Sequence, residues 1–305
     1  MKHPRIGLVL GSGSARGWAH IGVIRALEEQ GIKPDLVAGC SIGALVGAAY
    51  CGGSLDALEE WVRKLSFWDM VRLMDLRLVG GLIEGDNLMA AFADRLSDIA
   101  VEDLAMPFAA VATDLGSGRE IWLQTGSLHT AVRASLALPG LFSPTCVDKR
   151  WLVDGGLTNP VPVSLCRAMG ADIIIAVNLN GNIVGRHLRS GENVAKKSDD
   201  SERDLLSQLL KKLNNGVLES KLMTWSRERK KNVPVPGLFE VMATSINIMQ
   251  DRITRGRLAG DPPDLMLSPR LAQLGLLEFD RAEEAIAEGY ECVRRMEPEL
   301  RHLFP

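Results

Sequence analysis

The sequence predicts an α/β fold, with a mostly parallel central sheet flanked by helices and helical additions toward the C-terminus. Three observations lead there. Ile6 to Leu10 and Leu36 to Gly39 are short, unbroken apolar runs, the pattern of strands buried on both faces. Each is followed, after a tight turn, by a helical pattern, and two such steps in succession argue for parallel strands joined by right-handed crossovers. Further strand-like runs recur downstream with helical stretches between several of them.

The elements follow in order. After the first strand, Trp18, Ile21, Val23, Ile24 and Leu27 recur at helical spacing, and Gly31 is placed to cap that helix. After the second strand, Ile42 to Tyr50 is rich in alanine, glycine and valine, residues small enough to let a helix lie close against a sheet. Phe108 to Thr113, Glu120 to Gln124, Trp151 to Val153 and Ile173 to Val177 read as strands, with helices over Leu128 to Leu136 and Val161 to Met169. Residues 180–203 are polar, contain glycine and mix charges, as an exposed loop or linker does. Beyond them Leu205, Leu206, Leu209, Leu213, Val217 and Leu222 form an apolar helical stripe. A second helix is expected from about Phe239 to Arg255, a late strand over Asp264 to Leu267 and a closing helix over Asp280 to Met296. The expected organisation is a core over 5–180, a polar loop over 181–203, and helical additions over 204–305 that pack on or complete the same domain.

Bulk properties exclude several function classes. The 305 residues suffice for one large domain with a full core. A formal net charge of −3 offers no electrostatic footprint for nucleic acid. The five cysteines, Cys40, Cys51, Cys146, Cys166 and Cys292, have neither CxxC nor metal-finger spacing. Neither a disulfide framework nor a metal site is expected, and the cytoplasm is the expected location. The apolar run after Lys2-His3-Pro4-Arg5 is too short for a signal peptide. No stretch approaches the ~20 apolar residues that span a bilayer, so membrane contact, if made, is expected to be peripheral, at the inner face.

Gly11-Ser12-Gly13-Ser14-Ala15-Arg16-Gly17 lies between the first strand and its helix. A dinucleotide-binding turn is the first reading, but the spacing is G-x-G-x-x-x-G rather than G-x-G-x-x-G. The acidic residue such a site needs is also misplaced, since Asp35 precedes the second strand instead of ending it. A plain strand-to-helix turn is the second reading. The third is an anion site of another kind, because backbone amides at a helix N-terminus stabilise an oxyanion as readily as a phosphate. Arg16 would then add positive charge or fix the loop.

Gly39-Cys40-Ser41-Ile42-Gly43 matches G-x-S-x-G between a strand and a helix, the setting of a nucleophile elbow. Ser41 is the candidate nucleophile, with Gly39 and Gly43 allowing the sharp turn to pack closely; Cys40 reads as a small packed residue. A serine hydroxyl needs a base. None of the five histidines suits: His3 precedes the fold, His20 and His129 lie in helical patterns, His187 in the polar loop and His302 near the C-terminus. Asp154 ends a strand and is backed by Gly155-Gly156, so it is the candidate base, against the plain reading of a turn aspartate.

Together the glycine loop, G-x-S-x-G and Asp154-Gly155-Gly156 resemble, in that order, the motifs of the patatin-like phospholipases. Arg133-Ala134-Ser135-Leu136-Ala137-Leu138-Pro139-Gly140 is similar to the block that precedes the family's aspartate. The likeness covers about residues 5–180 and is nearest to small bacterial members related to neuropathy target esterase. It implies a patatin-like three-layer fold and a serine-aspartate dyad. In this chain Ser41 would attack an ester carbonyl, Asp154 would accept its proton, and the loop over Gly11, Ser12, Gly13 and Arg16 would hold the oxyanion. It implies a lipid or acyl-ester substrate and no cofactor or metal. The family's loop is usually a run of glycines, so Ser12 and Ser14 are departures.

The helix over 204–225 reads first as packed on the core, with a lid, a dimer face and a membrane contact as alternatives. Lys211, Lys212, Lys221 and the run Arg227-Glu228-Arg229-Lys230-Lys231 keep membrane contact open. The competing function is a non-catalytic membrane- or protein-interaction module on a hydrolase fold. Oligomeric state is not legible in the sequence.

Overall fold

The computed structural model describes residues 3–66, 69, 86–139, 141–181 and 238–304. Eight strands form one sheet: β1 (Ile6–Leu10), β2 (Leu36–Cys40), β3 (Phe108–Asp114), β4 (Glu120–Leu123), β5 (Thr145–Val147), β6 (Arg150–Asp154), β7 (Ile173–Val177) and β8 (Leu265–Leu267). Their order is β5-β6-β3-β2-β1-β7-β8, with β4 paired to β3 off that path. The pairs β1–β2, β1–β7, β2–β3 and β7–β8 are parallel, whereas β4 and β6 run antiparallel to β3, and β5 to β6.

The helices are α1 (Ala19–Glu29), α2 (Ile42–Cys51), α3 (Leu55–Arg63), α4 (Asp86–Ala93), α5 (Leu128–Ser135), α6 (Val163–Ala168), α7 (Leu238–Gly260), α8 (Ala282–Arg295) and α9 (Glu297–Leu303). Alternate strand residues feed two cores. Leu8, Leu10, Val37, Ala110 and Ala112 pack with residues of α1, α2, α5 and α8 on one face. Val9, Leu36, Ala38, Ala109 and Val111 pack with Leu165 and Cys166 of α6 and with Leu258 of α7 on the other. This is the expected three-layer arrangement, and the double burial explains why β1 and β2 read as unbroken apolar runs.

β1 and β7 have the bounds read from the sequence, while the first helix is preceded by a 3-10 turn over Ser14–Trp18. The last third adds β8 as well as helices. α1 and α8 cross at very short range: a Cβ on Gly289 would stand 2.0 Å from Ala19 O. No side chain fits there, so the close approach requires glycine. The short elements α3, α4, β5 and α9 have no counterpart in the sequence reading, although Leu55, Leu58 and Val62 give α3 an apolar face at helical spacing. The leucine stripe over 205–222, its lysines, the basic run over 227–231 and His187 lie outside the described residues.

β6 runs antiparallel to β3, yet its last residue, Asp154, still falls at the carboxyl end of β2, beside Ser41. Ala110 and Val111 of β3 pair with β2 on one side and β4 on the other, and Ala112 and Thr113 pair with β4 and β6. β2 and β6 therefore lie along the same edge of β3, end to end. β2 finishes at Cys40 opposite Val111, and β6 finishes at Asp154 opposite Ala112. That seam positions the site.

Candidate active site

Leaving β2, the chain turns sharply at Ser41, whose φ of 56° and ψ of −124° are costly for a non-glycine residue. The turn is held from both sides. Ser41 N donates to Ser135 Oγ at 2.8 Å, and Ser135 Oγ donates to Val111 O at 2.6 Å, so the last residue of α5 locks the elbow to β3. A Cβ on Gly43 would stand 2.1 Å from Leu10 O, and one on Gly39 would stand 2.6 Å from Ala44 Cα. Both elbow glycines are thus required by close backbone approach.

Across the seam, Ser41 Oγ donates to Asp154 Oδ2 at 2.6 Å. Gly156 N donates to Oδ1 at 2.6 Å, which fixes the carboxylate plane. Asp154 N donates to Ala137 O at 2.9 Å, and Thr113 Oγ1 donates to Asp154 O at 2.9 Å. Asp154 is 1% exposed and Ser41 8%. Burial pushes the Asp154 carboxyl up to about 6, while the bonds from Ser41 and Gly156 hold it down. Burial, with Asp154 and Glu120 adding to it, raises the Cys40 thiol well above its ordinary value, which suits the packed role read from the sequence.

Both groups line a cleft of about 800 Å³, its open mouth included, together with Gly13 and Ser14. The remaining wall is largely apolar, including Leu45, Trp61, Leu138, Phe142 and Ile246. No described histidine bonds to Ser41 or Asp154. His20 is buried, and its Nε2 donates to Gly11 O at 2.8 Å. Burial pushes His20 down to about 4, so it stays neutral. His129 Nε2 bonds to Leu96 O at 2.7 Å. Asp35 sits at the amino end of β2, where its carboxylate accepts from Ile6 N at 2.7 Å, far along the strand from the loop. Among the described residues, no group of three His, Cys, Asp or Glu side chains is placed to hold a metal ion.

The glycine loop needs a finer reading than the sequence allows. Gly11 N donates to Val177 O at 3.1 Å and Ser12 N to Pro160 O at 2.8 Å, so these two amides are already occupied. Among the described residues, the amides of Gly13 and Ser14 find no acceptor, and both residues line the cleft. Arg16 is 1% exposed and does not face the cleft as a charge. Its Nε donates to Gly13 O at 3.1 Å and its terminal nitrogen to Asn247 Oδ1 at 3.0 Å. Of the two readings offered for Arg16, it fixes the loop.

Ser135, which falls in the block before Asp154, and Asn180, Asn247 and Gln250, which belong to no motif, also bond to these segments. Asn247 and Gln250 stand three apart on one face of α7, a spacing visible in the sequence, but periodicity alone does not say that a polar face is buried.

Residues 8–167 match the family model for patatin-like phospholipase. The chain belongs to the patatin-like phospholipase family. An uncharacterized NTE family protein of Mycobacterium tuberculosis is 36% identical, over 94% of this chain and 89% of its own length. Neuropathy target esterase sws of Drosophila melanogaster is 37% identical over 57% of this chain, a span that is 13% of the fly protein. Among solved structures, VipD from Legionella pneumophila aligns with 97% of this chain and 67% of its own at a TM-score of 0.54. At 14% identity that likeness is one of fold. As a patatin-like protein the chain falls, at family level, among lipid ester hydrolases.

Proposed function

We propose that this chain is a serine acyl hydrolase that cleaves carboxylic esters of lipids, with phospholipids, lysophospholipids and simpler acyl esters as the substrate class. The observation that carries the reading is the 2.6 Å bond from Ser41 Oγ to a buried Asp154 carboxylate inside an apolar cleft. A hydroxyl aimed at a base and set in a strained turn is the arrangement nucleophilic catalysis requires. The apolar wall suits an acyl chain.

In this reading Ser41 Oγ attacks the ester carbonyl carbon and its proton passes to Asp154 Oδ2. The tetrahedral oxyanion accepts hydrogen bonds from the amides of Gly13 and Ser14. Collapse expels the alcohol, which takes the proton from Asp154 and leaves an acyl-Ser41 ester. Water then attacks that ester, Asp154 takes the water proton, and the fatty acid departs as Ser41 regains its hydrogen. No step calls on a cofactor. The reading extends to a cytoplasmic location with peripheral contact at the inner membrane face, in keeping with five cysteines that form no disulfide.

A fluorophosphonate probe tests it directly. The native chain should be labelled, and Ser41→Ala should abolish both labelling and hydrolysis of a graded panel of acyl esters. Labelling that survives in Ser41→Ala would overturn the assignment.

A further inference from the structure

We propose that Gln250, on α7, is a positioning residue for the oxyanion site, acting through Asn180 and Ser12 on the amide of Gly13. The inference rests on the reading that the Gly13 and Ser14 amides receive the oxyanion, and it names what aims them.

The argument begins with the planar peptide. In a trans peptide the carbonyl and the following N–H point in opposite directions, so whatever fixes one fixes the other. Ser12 O accepts from Asn180 Nδ2 at 3.3 Å, which turns the N–H of Gly13 to the opposite side. Gly13 O accepts from Arg16 Nε at 3.1 Å, which does the same for the N–H of Ser14. The preceding peptide is held at both ends, by His20 Nε2 on Gly11 O at 2.8 Å and by Ser12 N on Pro160 O at 2.8 Å. Every carbonyl from Gly11 to Gly13 therefore has a fixed donor, and the two unoccupied amides belong to residues that line the cleft.

Asn180 cannot orient itself alone. Its Nδ2 also donates to Gln250 Oε1 at 2.9 Å, and Ser12 Oγ donates to the same oxygen at 3.2 Å. One acceptor on α7 thus gathers both the donor that aims Ser12 O and the hydroxyl of Ser12 itself. All three side chains are buried, at 2% exposure for Ser12 and Asn180 and 5% for Gln250. Removing that acceptor would leave two buried donors unpaired and free the Asn180 amide to turn. Gln250 also packs against the turn behind the base: its Nε2 occupies the space a Cβ on Gly156 would need. A single side chain therefore packs against the oxyanion loop and the turn that carries the base. Ser12, a departure from the family's glycine run, here gives α7 a hold on the loop beside the one from Asn247 to Arg16.

The test compares an aryl ester with its thionoester, whose sulfur is a poor hydrogen-bond acceptor. An aligned oxyanion site favours the oxygen substrate, and a misaligned one loses that preference. The ratio of the two kcat/KM values does not depend on how much of the sample is folded. Gln250→Met should lower kcat for the ester about tenfold or more with little change in KM, and the oxygen-to-sulfur ratio should shrink by a similar factor. Gln250→Glu retains the accepting oxygens, so the ratio should be restored. Its charge beside Asp154 should move the pH profile upward. If Gln250→Met yields no folded protein, Asn180→Ala, which removes the donor to Ser12 O, is read in the same way. A ratio that stays at the native value in these variants overturns the proposal, whatever happens to the rate. Failure of the parent reading looks different: the native chain would be inactive, or Ser41→Ala would still hydrolyse the ester.

Discussion

Ser41 and Asp154 meet at 2.6 Å although their strands run in opposite directions and 113 residues separate them. β2 stops at Cys40, and β6 comes toward it along the same edge of β3 and stops at Asp154. The two chain ends face one another across the step from Val111 to Ala112. Neither side chain reaches far: the geometry comes from where two strands end, and each end is held by a neighbour, Ser135 at the elbow and Gly156 at the carboxylate.

The pH dependence follows from burial of Asp154. A base must be ionised to accept the Ser41 proton, and this carboxyl is pushed up to about 6. kcat/KM should level off above that value and fall about tenfold per pH unit below it. A profile that stays flat down to pH 4 would exclude Asp154 as the base.

The same burial gives Asp154→Asn a pH-dependent effect on stability. With the folded pKa above the ordinary 3.8, the native aspartate is at its most stabilising below 3.8 and loses that contribution as pH rises through about 6. Asparagine is neutral throughout. The variant should match the native protein at pH 4 and exceed it by about 3 kcal/mol at pH 8, while hydrolysis falls at least a hundredfold. Denaturant melts at the two pH values measure this. Equal stability difference at both would show that Asp154 does not carry the raised pKa.

Ser135→Ala should harm both the fold and the reaction. It strips the buried Ser41 amide of its acceptor and Val111 O of its donor, for a loss of about 1–3 kcal/mol. The elbow should loosen, and fluorophosphonate labelling of Ser41 should slow about tenfold. Native labelling kinetics in a destabilised variant would restrict Ser135 to a purely structural part.

Gly289→Ala tests the crossing of α1 and α8. The added methyl would stand 2.0 Å from Ala19 O, so the helices must separate. Stability should drop by about 3 kcal/mol, read from the denaturation midpoint. A midpoint within error of the native value would mean the helices are not so closely apposed.

Much of the site was legible because motif and context coincide locally. A G-x-S-x-G between a strand and a helix identifies an elbow, and an aspartate followed by two glycines at a strand end identifies a buried acid in a tight turn. Both depend on contacts within a few residues, as do β1 and β7, whose apolar runs carry their bounds. The roles of Asn180 and Gln250 were not legible, because their meaning lies entirely in partners 168 and 238 residues from the bonded Ser12 atoms. The choice among loop amides was equally hidden: Gly11 and Ser12 are occupied by Val177 and Pro160, on segments that only the fold brings near.

By itself the sequence determined the layered α/β architecture, the sharp elbow at Ser41 and the placement of Asp154 at a strand end before two glycines. Those follow from periodicity and turn chemistry, which are local. Only the tertiary structure decided that β6 runs antiparallel and abuts β2, which amides of the glycine loop are left for a ligand, and that Arg16 is spent inside the loop. Those follow from hydrogen bonding between distant segments: most buried donors and acceptors find a partner, and which one they find is set by how the whole chain closes.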